Sequence, residues 1–303
     1  MIKKLQRLFS YLNKPERVAY LFILPSFLIF LFFIIAPLVG SLVIGTLNLN
    51  IFLKDISFAG LDNFEKILTD ERFWNAIKNT FYFTFTEMPI QVISALLIAV
   101  FVSTNTFFRK MLRSVFLLPF VCSMTAVGIV WSILLDPVLG IYTYFLSCLG
   151  IHGAQFLKDP NLAMPIVVLI TVWKNFGFSM VLLVSGIQSI PGTYYEAAEI
   201  DGASKRKQFT GITIPLLIPT LGFCIITNTI GSFQVFDQVF VMTQGGPLFR
   251  TETIVQYIYN VGFKLSPYDL GYASSMALIL FLIIAAISLI MRDFLVKKEV
   301  SDV

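Results

Sequence analysis

The sequence predicts an all-α integral membrane protein with six transmembrane helices, and three observations carry that prediction. Only 13% of the 303 residues are charged, about half the 25% of an average soluble chain. Mean hydropathy is +0.82 and 57% of residues are hydrophobic, 31 of them Phe. These residues fall in long runs that lack the charged faces a soluble helix needs. A span needs about 20 apolar residues to cross about 30 Å of hydrocarbon.

The first span is AYLFILPSFLIFLFFIIAPLVGSLVIG, residues 19–45. It is too long for the apolar region of a secretory signal and has no small-residue cleavage site, so it reads as a retained anchor. The second, 77–102, and third, 112–135, come after a charged loop and a basic turn. The fourth is 163–187, the fifth 212–242 and the sixth 270–291. The second, fourth and fifth are the least apolar. The domain organisation is then a tail at 1–18, the first helix and its loop at 19–76, a core of five spans at 77–292, and a second tail at 293–303.

Lys and Arg set the orientation. Lys3, Lys4, Arg7, Lys14 and Arg17 precede the first span. Arg109, Lys110 and Arg113 lie between spans two and three, Lys205, Arg206 and Lys207 between four and five, and Arg292, Lys297 and Lys298 after six. The longer opposite loops carry fewer bases, among them Lys54, Arg72 and Lys158. Both termini are therefore expected in the cytoplasm. Cys122, Cys148 and Cys224 lie far apart, without CxxC spacing, and His152 is the one histidine. That gives no support to a redox pair or a zinc site. The chain holds no GxxxxGK[ST] loop, HExxH or GxSxG motif, so ATP hydrolysis and the common hydrolase chemistries find no residues here.

One charged insert stands out, TYYEAAEIDGASKRKQFTGITIP at 193–215. Thr193 and Glu196 have the spacing of a capping box. Pro191 suits a chain leaving one helix and starting another. A short helix from about Tyr194 to Ile200 should end at Asp201-Gly202, since Gly takes the left-handed angles of a helix terminus. Helix then resumes near Lys205–Gln208. Ala197, Ala198, Gly202 and Ala203 make a low surface that a partner can approach closely.

Glu196-Ala197-Ala198, Asp201-Gly202-Ala203 and Ile212-Thr213-Ile214-Pro215 resemble the EAA motif of ABC importer permeases, with Ile214 where Leu is usual. SFQVFDQVFVMTQGGP (232–247), GYASSMALILFLI (271–283) and PERVAYLFILPSFLIFLFFIIAPL (15–38) are similar to the carbohydrate-uptake branch, which includes the maltose and glycerol-3-phosphate systems. The resemblance covers nearly the whole chain. It implies a cytoplasmic coupling helix at 192–208 that docks on an ATPase subunit, with Glu196, Ala197, Ala198, Asp201, Gly202, Ala203 and Pro215 as the coupling residues. It also implies partners: an ATP-binding cassette ATPase dimer carrying ATP and Mg, a second related permease, an extracytoplasmic solute-binding protein and a sugar or oligosaccharide. No cofactor is expected on this chain and nucleic acid is not among its partners. The location implied is the bacterial or archaeal cell membrane.

Polar residues within spans are costly and mark paths or buried contacts. Thr80, Thr84, Glu87, Gln91 and Ser94 share one helical face, as do Thr171, Asn175 and Ser179, with Lys174 beside them. Thr227, Gly231, Gln234 and Gln238 form a third stripe, with Asn228 and Asp237 at its margin. Glu87, Gln91, Lys174, Asn175, Asn228, Gln234 and Asp237 are the candidates for a solute path, with nearby aromatic rings as flat faces for sugars. Helix–helix packing is the alternative for each of them, and a Glu87–Lys174 salt bridge is one form of it. A permease for glycerol-3-phosphate is the same-class alternative; its phosphate needs converging bases, and the spans offer Lys174 alone. An ion-driven secondary transporter would retain Glu87 and Asp237 but leaves the EAA pattern without a reason.

Overall fold

The computed structural model describes residues 15–53, 56–104, 106–150 and 155–301. Lys3, Lys4, Arg7 and Lys14 of the N-terminal tail, Lys54 and His152 lie outside them. Among the described residues, five helices are long and apolar enough to cross a membrane, and six if one sharply bent pair counts as a span. The chain divides into two compact units.

The first unit holds the described residues up to Leu68 together with Val261–Leu278. Helix α1 (Pro15–Phe30) runs through a π turn (Leu31–Ile35) into α2 (Ala36–Gly45). The π turn has a local cause. Pro37 lacks an N–H, and its ring would strike the carbonyl four residues back in a regular α-helix. The ladder widens just ahead of it, with the Ala36 N–H donating to the Leu31 carbonyl. A two-residue hairpin comes next, β1 (Leu47–Asn48) antiparallel to β2 (Ser57–Phe58), then α3 (Asp62–Thr69). Asn63 closes the exit of α2 by donating to the Gly45 and Leu47 carbonyls at 3.1 and 3.0 Å. Gly271 is required there: a Cβ on it would lie 1.9 Å from the Leu47 carbonyl oxygen.

The second unit is Thr69–Asn260 with the residues from Ile279 onward. Its long helices are α4 (Glu71–Val102), α8 (Ala163–Ser189) and α11 (Ile214–Phe233), and they pack against one another. Helix α5 (Phe107–Val121) lies on α8, and α6 (Met124–Leu134) precedes a short α7 (Ile141–Cys148). Gly177 lets α5 come close, since a Cβ there would sit 2.2 Å from the Phe116 carbonyl oxygen. Two apolar clusters fill the bundle. One centres on Phe83, Val167 and Val239, the other on Ala95, Ala99, Met180 and Leu217. Between α8 and α11 come α9 (Gly192–Ile200), α10 (Lys205–Gln208) and a π turn (Phe209–Thr213). That turn repeats the first: it sits just ahead of Pro215, and the Ile214 N–H donates to the Phe209 carbonyl. After α11 come α12 (Asp237–Met242), packed on α6, and α13 (Ile254–Tyr259). The last helix, α14 (Leu270–Ser301), runs past the predicted end of the sixth span.

Two predicted spans differ from the structure. The third, 112–135, is not one helix: α5 and α6 bend by 91° at Cys122-Ser123. Both residues are extended, and Pro119 removes a donor from the last turn of α5. The fifth, 212–242, ends at Phe233. Gln234 is its C-cap, and α12 starts after a break. Apolar content continues through both breaks, whereas backbone geometry does not.

Residues 243–260 are fixed to the start of α4 by buried polar groups. Asp70 caps α4, accepting from the Arg72 and Phe73 amides at 2.9 and 3.1 Å and from the Tyr257 hydroxyl at 2.6 Å. Burial first, and then the Asp70 carboxylate, push the Tyr257 phenol above its ordinary pKa. Arg72 forks onto Glu252, its Nε to Oε2 and its terminal nitrogen to Oε1, each at 2.7 Å. Asn260 Nδ2 also donates to Glu252 Oε1 at 2.7 Å, and the Glu252 side chain is 1% exposed. Removing one partner of such a pair strands a buried charge and costs about 3–5 kcal/mol. Arg72→Ala is therefore expected to lower unfolding stability in detergent by about that amount, with Arg72→Lys recovering only part because the fork is lost. A change within about 0.5 kcal/mol, the usual surface effect, would show that Glu252 is not held by this pair.

Candidate functional site: a capped loop and an intramembrane cavity

Helix α9 begins at Gly192 with Pro191 as its N-cap, and no side-chain capping bond is present. The expected Thr193 capping box is not formed, because the helix starts before Thr193 and places it inside the first turn. The other end matches the sequence. Gly202 takes φ +73°, the Gly202 N–H donates to the Glu199 carbonyl at 3.0 Å, and the Ala203 N–H donates to the Ala198 carbonyl at 2.8 Å. This is a Schellman motif. Ser204 then caps α10, accepting from the Lys207 amide. Lys205 forms an ion pair with Glu199 and holds its carboxyl below the ordinary carboxylate range. Tyr195 and Thr213 share a hydroxyl–hydroxyl bond of 2.9 Å that ties α9 to the approach of α11.

Glu196, Ala197, Asp201 and Gly202 are exposed, Ala198 and Ala203 are half-buried, and Pro215 occupies the second position of α11. A Cβ on Gly202 would meet nothing within 4 Å. The surface beside it is therefore open. Ile200, at the tip of α9, is 87% exposed. Motif spacing does not single it out; an apolar residue ending a charged, short helix is the available signal.

In the helix bundle, α4, α8 and α11, with Phe120 of α5 and Gln238 of α12, line a half-open cavity of about 190 Å³. Glu87, Gln91, Asn175 and Asn228 all line it, joined by Ser232 and by the aromatic rings of Phe83, Phe120 and Phe178. Phe120 and Phe178 stack at 4.9 Å between centroids. Glu87 is 2% exposed and accepts from Ser232 Oγ at 2.5 Å. Gln91 Nε2 donates to Asn228 Oδ1 at 2.9 Å, and Asn228 Nδ2 donates to Ser179 Oγ at 3.1 Å. Gln91 Oε1 and Thr84 Oγ1 are buried without a hydrogen-bond partner among the described residues.

The comparisons with known proteins agree on one family. Residues 70–299 match the model for "Binding-protein-dependent transport system inner membrane component". The chain belongs to this family. The trehalose/maltose transport system permease protein MalF of Thermococcus litoralis is 33% identical over 262 residues, covering 86% of this chain and 88% of that protein. The sn-glycerol-3-phosphate transport system permease protein UgpA of Agrobacterium fabrum is 31% identical over 286 residues, covering 94% and 97%. A crystal structure of a bacterial ABC transporter involved in import of the acidic polysaccharide alginate contains a similar chain. It matches with a TM-score of 0.81 and 25% identity over 96% of this chain and 99% of that one. The protein is thus an ABC importer permease, an inner-membrane transport component with several spanning helices rather than an enzyme.

The permease fold does not bring every predicted path residue together. Lys174 is buried but off the cavity wall. Its Nζ donates to the Phe120 carbonyl at 3.2 Å and to Asn175 Oδ1 at 3.3 Å, and it sits 5.1 Å from the Phe120 ring centroid. Among the described residues no ion pair joins it to Glu87. Gln234 and Asp237 are exposed and do not line the cavity, whereas Gln238 on α12 does. Ser232 was missed, although its i+4 relation to Asn228 places it on the same face.

The amide cluster yields a stability test. Asn228→Ala removes partners from Gln91 and Ser179 inside the bundle, a loss of about 1–3 kcal/mol. Gln234→Ala, at an exposed helix end, is expected within about 0.5 kcal/mol of wild type. Thermal unfolding of the two variants in one detergent reads the difference. Equal midpoints would mean that the cluster carries no stability.

Proposed function

We propose that this permease accepts a sugar or oligosaccharide from an external solute-binding protein and passes it into the cytoplasm by alternating access. In this reading both termini and the α9–α10 loop are cytoplasmic, as the Lys and Arg distribution favours. An ATP-binding cassette ATPase dimer carries ATP and Mg, and a second, related permease completes the path. ATP binding closes the ATPase dimer, α9 moves with its docking groove, and the cavity turns outward. Hydrolysis returns it inward.

The observation that carries the proposal is the exposed, capped tip of α9. Ile200 projects from a helix whose Ala197 and Ala198 keep the surface low, beside a Schellman turn with open space around it. An apolar knob held on a rigid turn suits insertion into a partner's groove. For the cavity, the assignment of Glu87, Gln91, Asn175 and Asn228 as path residues rests on their shared wall and on aromatic faces beside them. The names of the relatives favour a carbohydrate. A cavity of 190 Å³ is below the roughly 300–1,000 Å³ of a complete small-molecule site, which fits one half of a path.

The test is recovery of partners. The tagged permease is solubilised gently from its own host membrane, alongside Ile200→Ser and Gly202→Asp variants. Asp tolerates positive φ better than most residues, and exposed Ile200 contributes little to the fold. Wild type is expected to bring down an ATPase subunit and a second permease. Both variants should retain the permease and lose the ATPase by about tenfold or more, the loss of about 1.4 kcal/mol of docking energy. Undiminished ATPase recovery with both variants would remove α9 from the coupling role.

A further inference from the structure

Overall similarity does not choose between neutral and anionic solutes, because a trehalose/maltose permease and a glycerol-3-phosphate permease are nearly equally similar to this chain. The cavity wall is more discriminating. Of the residues lining it, Glu87 is the one that ionises, and the rest are amides, hydroxyls, Gly231 and aromatic rings. The cation nearest in sequence to that wall, Lys174, directs its ammonium to the Phe120 carbonyl and to Asn175 Oδ1. Asp237 is exposed and off the wall.

Glu87 is itself a built group. It is 2% exposed and oriented by the Ser232 hydroxyl at 2.5 Å, whose oxygen also lies 2.8 Å from the Asn228 carbonyl. A carboxylate only accepts hydrogen bonds. It therefore pairs with solute groups that donate, such as hydroxyls or ammonium groups. A phosphate or uronate brings acceptors and a like charge, and like charges a few ångströms apart repel. Rejection by an unmatched buried charge is a general source of specificity. The flanking amides of Gln91, Asn175 and Asn228 donate and accept, so they suit either class and leave the choice to Glu87.

We propose that Glu87, in its ionised form, is the specificity-determining residue of this path, admitting neutral or cationic polyhydroxylated solutes and excluding anionic ones. This rests on the reading of the cavity as the solute path. Ser232 acts as the positioning residue that orients the carboxylate. Phe120 and Phe178 offer ring faces for the apolar face of a sugar ring.

The experiment uses the assembled transporter in detergent, without its binding protein, so that the permease alone is read. Saturation-transfer NMR is recorded with glucose, glucosamine and glucuronate, which share a ring and differ in charge. Wild type is expected to engage glucose and glucosamine, with glucuronate weaker by about tenfold or more. Glu87→Gln, nearly the same shape without the charge, should bring glucuronate to within about threefold of glucose. Lys174→Met should leave the wild-type preference in place. Equal engagement of all three sugars by wild type overturns the charge filter while leaving the path reading intact. So does a preference that Glu87→Gln does not change. If no sugar engages wild type, the path reading itself fails and the proposal with it. The wild-type panel is decisive even where a variant does not assemble.

Discussion

Hydrocarbon offers no hydrogen bonds, and that constraint orders the whole chain. Every backbone amide and carbonyl at membrane depth must find a partner inside the protein. Helices meet the demand locally, so the spans are helical and their exceptions are informative. Thr80, Thr171, Thr227 and Thr229 each return a hydroxyl to a carbonyl four residues back. The same demand explains the clustering of Gln91, Asn228 and Ser179. Glu87 departs from this pattern. An ionised group at mid-bilayer costs about 2.5–3.5 kcal/mol on insertion scales, and among the described residues Glu87 has a serine hydroxyl and a cavity rather than an ion-pair partner.

Proline shapes the bundle through the same accounting of donors. Two π turns occur immediately before Pro37 and Pro215, where the ladder must widen to clear a ring. A third proline, Pro119, stands at the 91° break between α5 and α6. Pro89 and Pro219 lie inside α4 and α11, which remain continuous helices. Proline position alone therefore does not separate a bulge from a break. The neighbouring backbone angles do: Cys122 and Ser123 are extended, whereas residues 36 and 214 stay helical.

Much of this was legible in the sequence because it depends on local chemistry. The turn at Asp201-Gly202 needs only a residue that accepts positive φ, and Gly202 is that residue. The α4 stripe of Thr80, Thr84, Glu87 and Gln91 is buried as its period requires. The N-terminus of α9 was misplaced because Pro191 sets the start through its fixed φ, ahead of the Thr193 hydroxyl. Gln234 was placed on a continuing helix face because apolar residues run on to Met242, and hydropathy is blind to a chain that leaves one helix and begins another. The Lys174 ammonium turns to the Phe120 carbonyl, a contact between helices that no spacing along one helix encodes.

The connection between the loop and the cavity is short and made of few parts. Helix α8 carries Asn175 and Ser179 and ends at Ser189, two residues before the start of α9 is set by Pro191. From Ser179 to Ser189 is about 15 Å at 1.5 Å per residue. On the other side, the π turn leads into α11, which carries Asn228 and Ser232. From Ile214 to Asn228 is about 21 Å by the same rise. Tyr195 and Thr213 bridge the two arms at the base. In the proposed cycle a displacement of α9 reaches one cavity wall across the Ile190-Pro191 break into α8, and the other across the Gly202 turn, α10 and the bulge at Phe209–Thr213 into α11. Helices are stiff along their axes, so the compliant elements are these non-helical joints and the bulge. Asn228 and Ser232 on α11 can then shift against Asn175 and Ser179 on α8, which changes the cavity that Glu87 faces without any rearrangement of the bundle's apolar clusters.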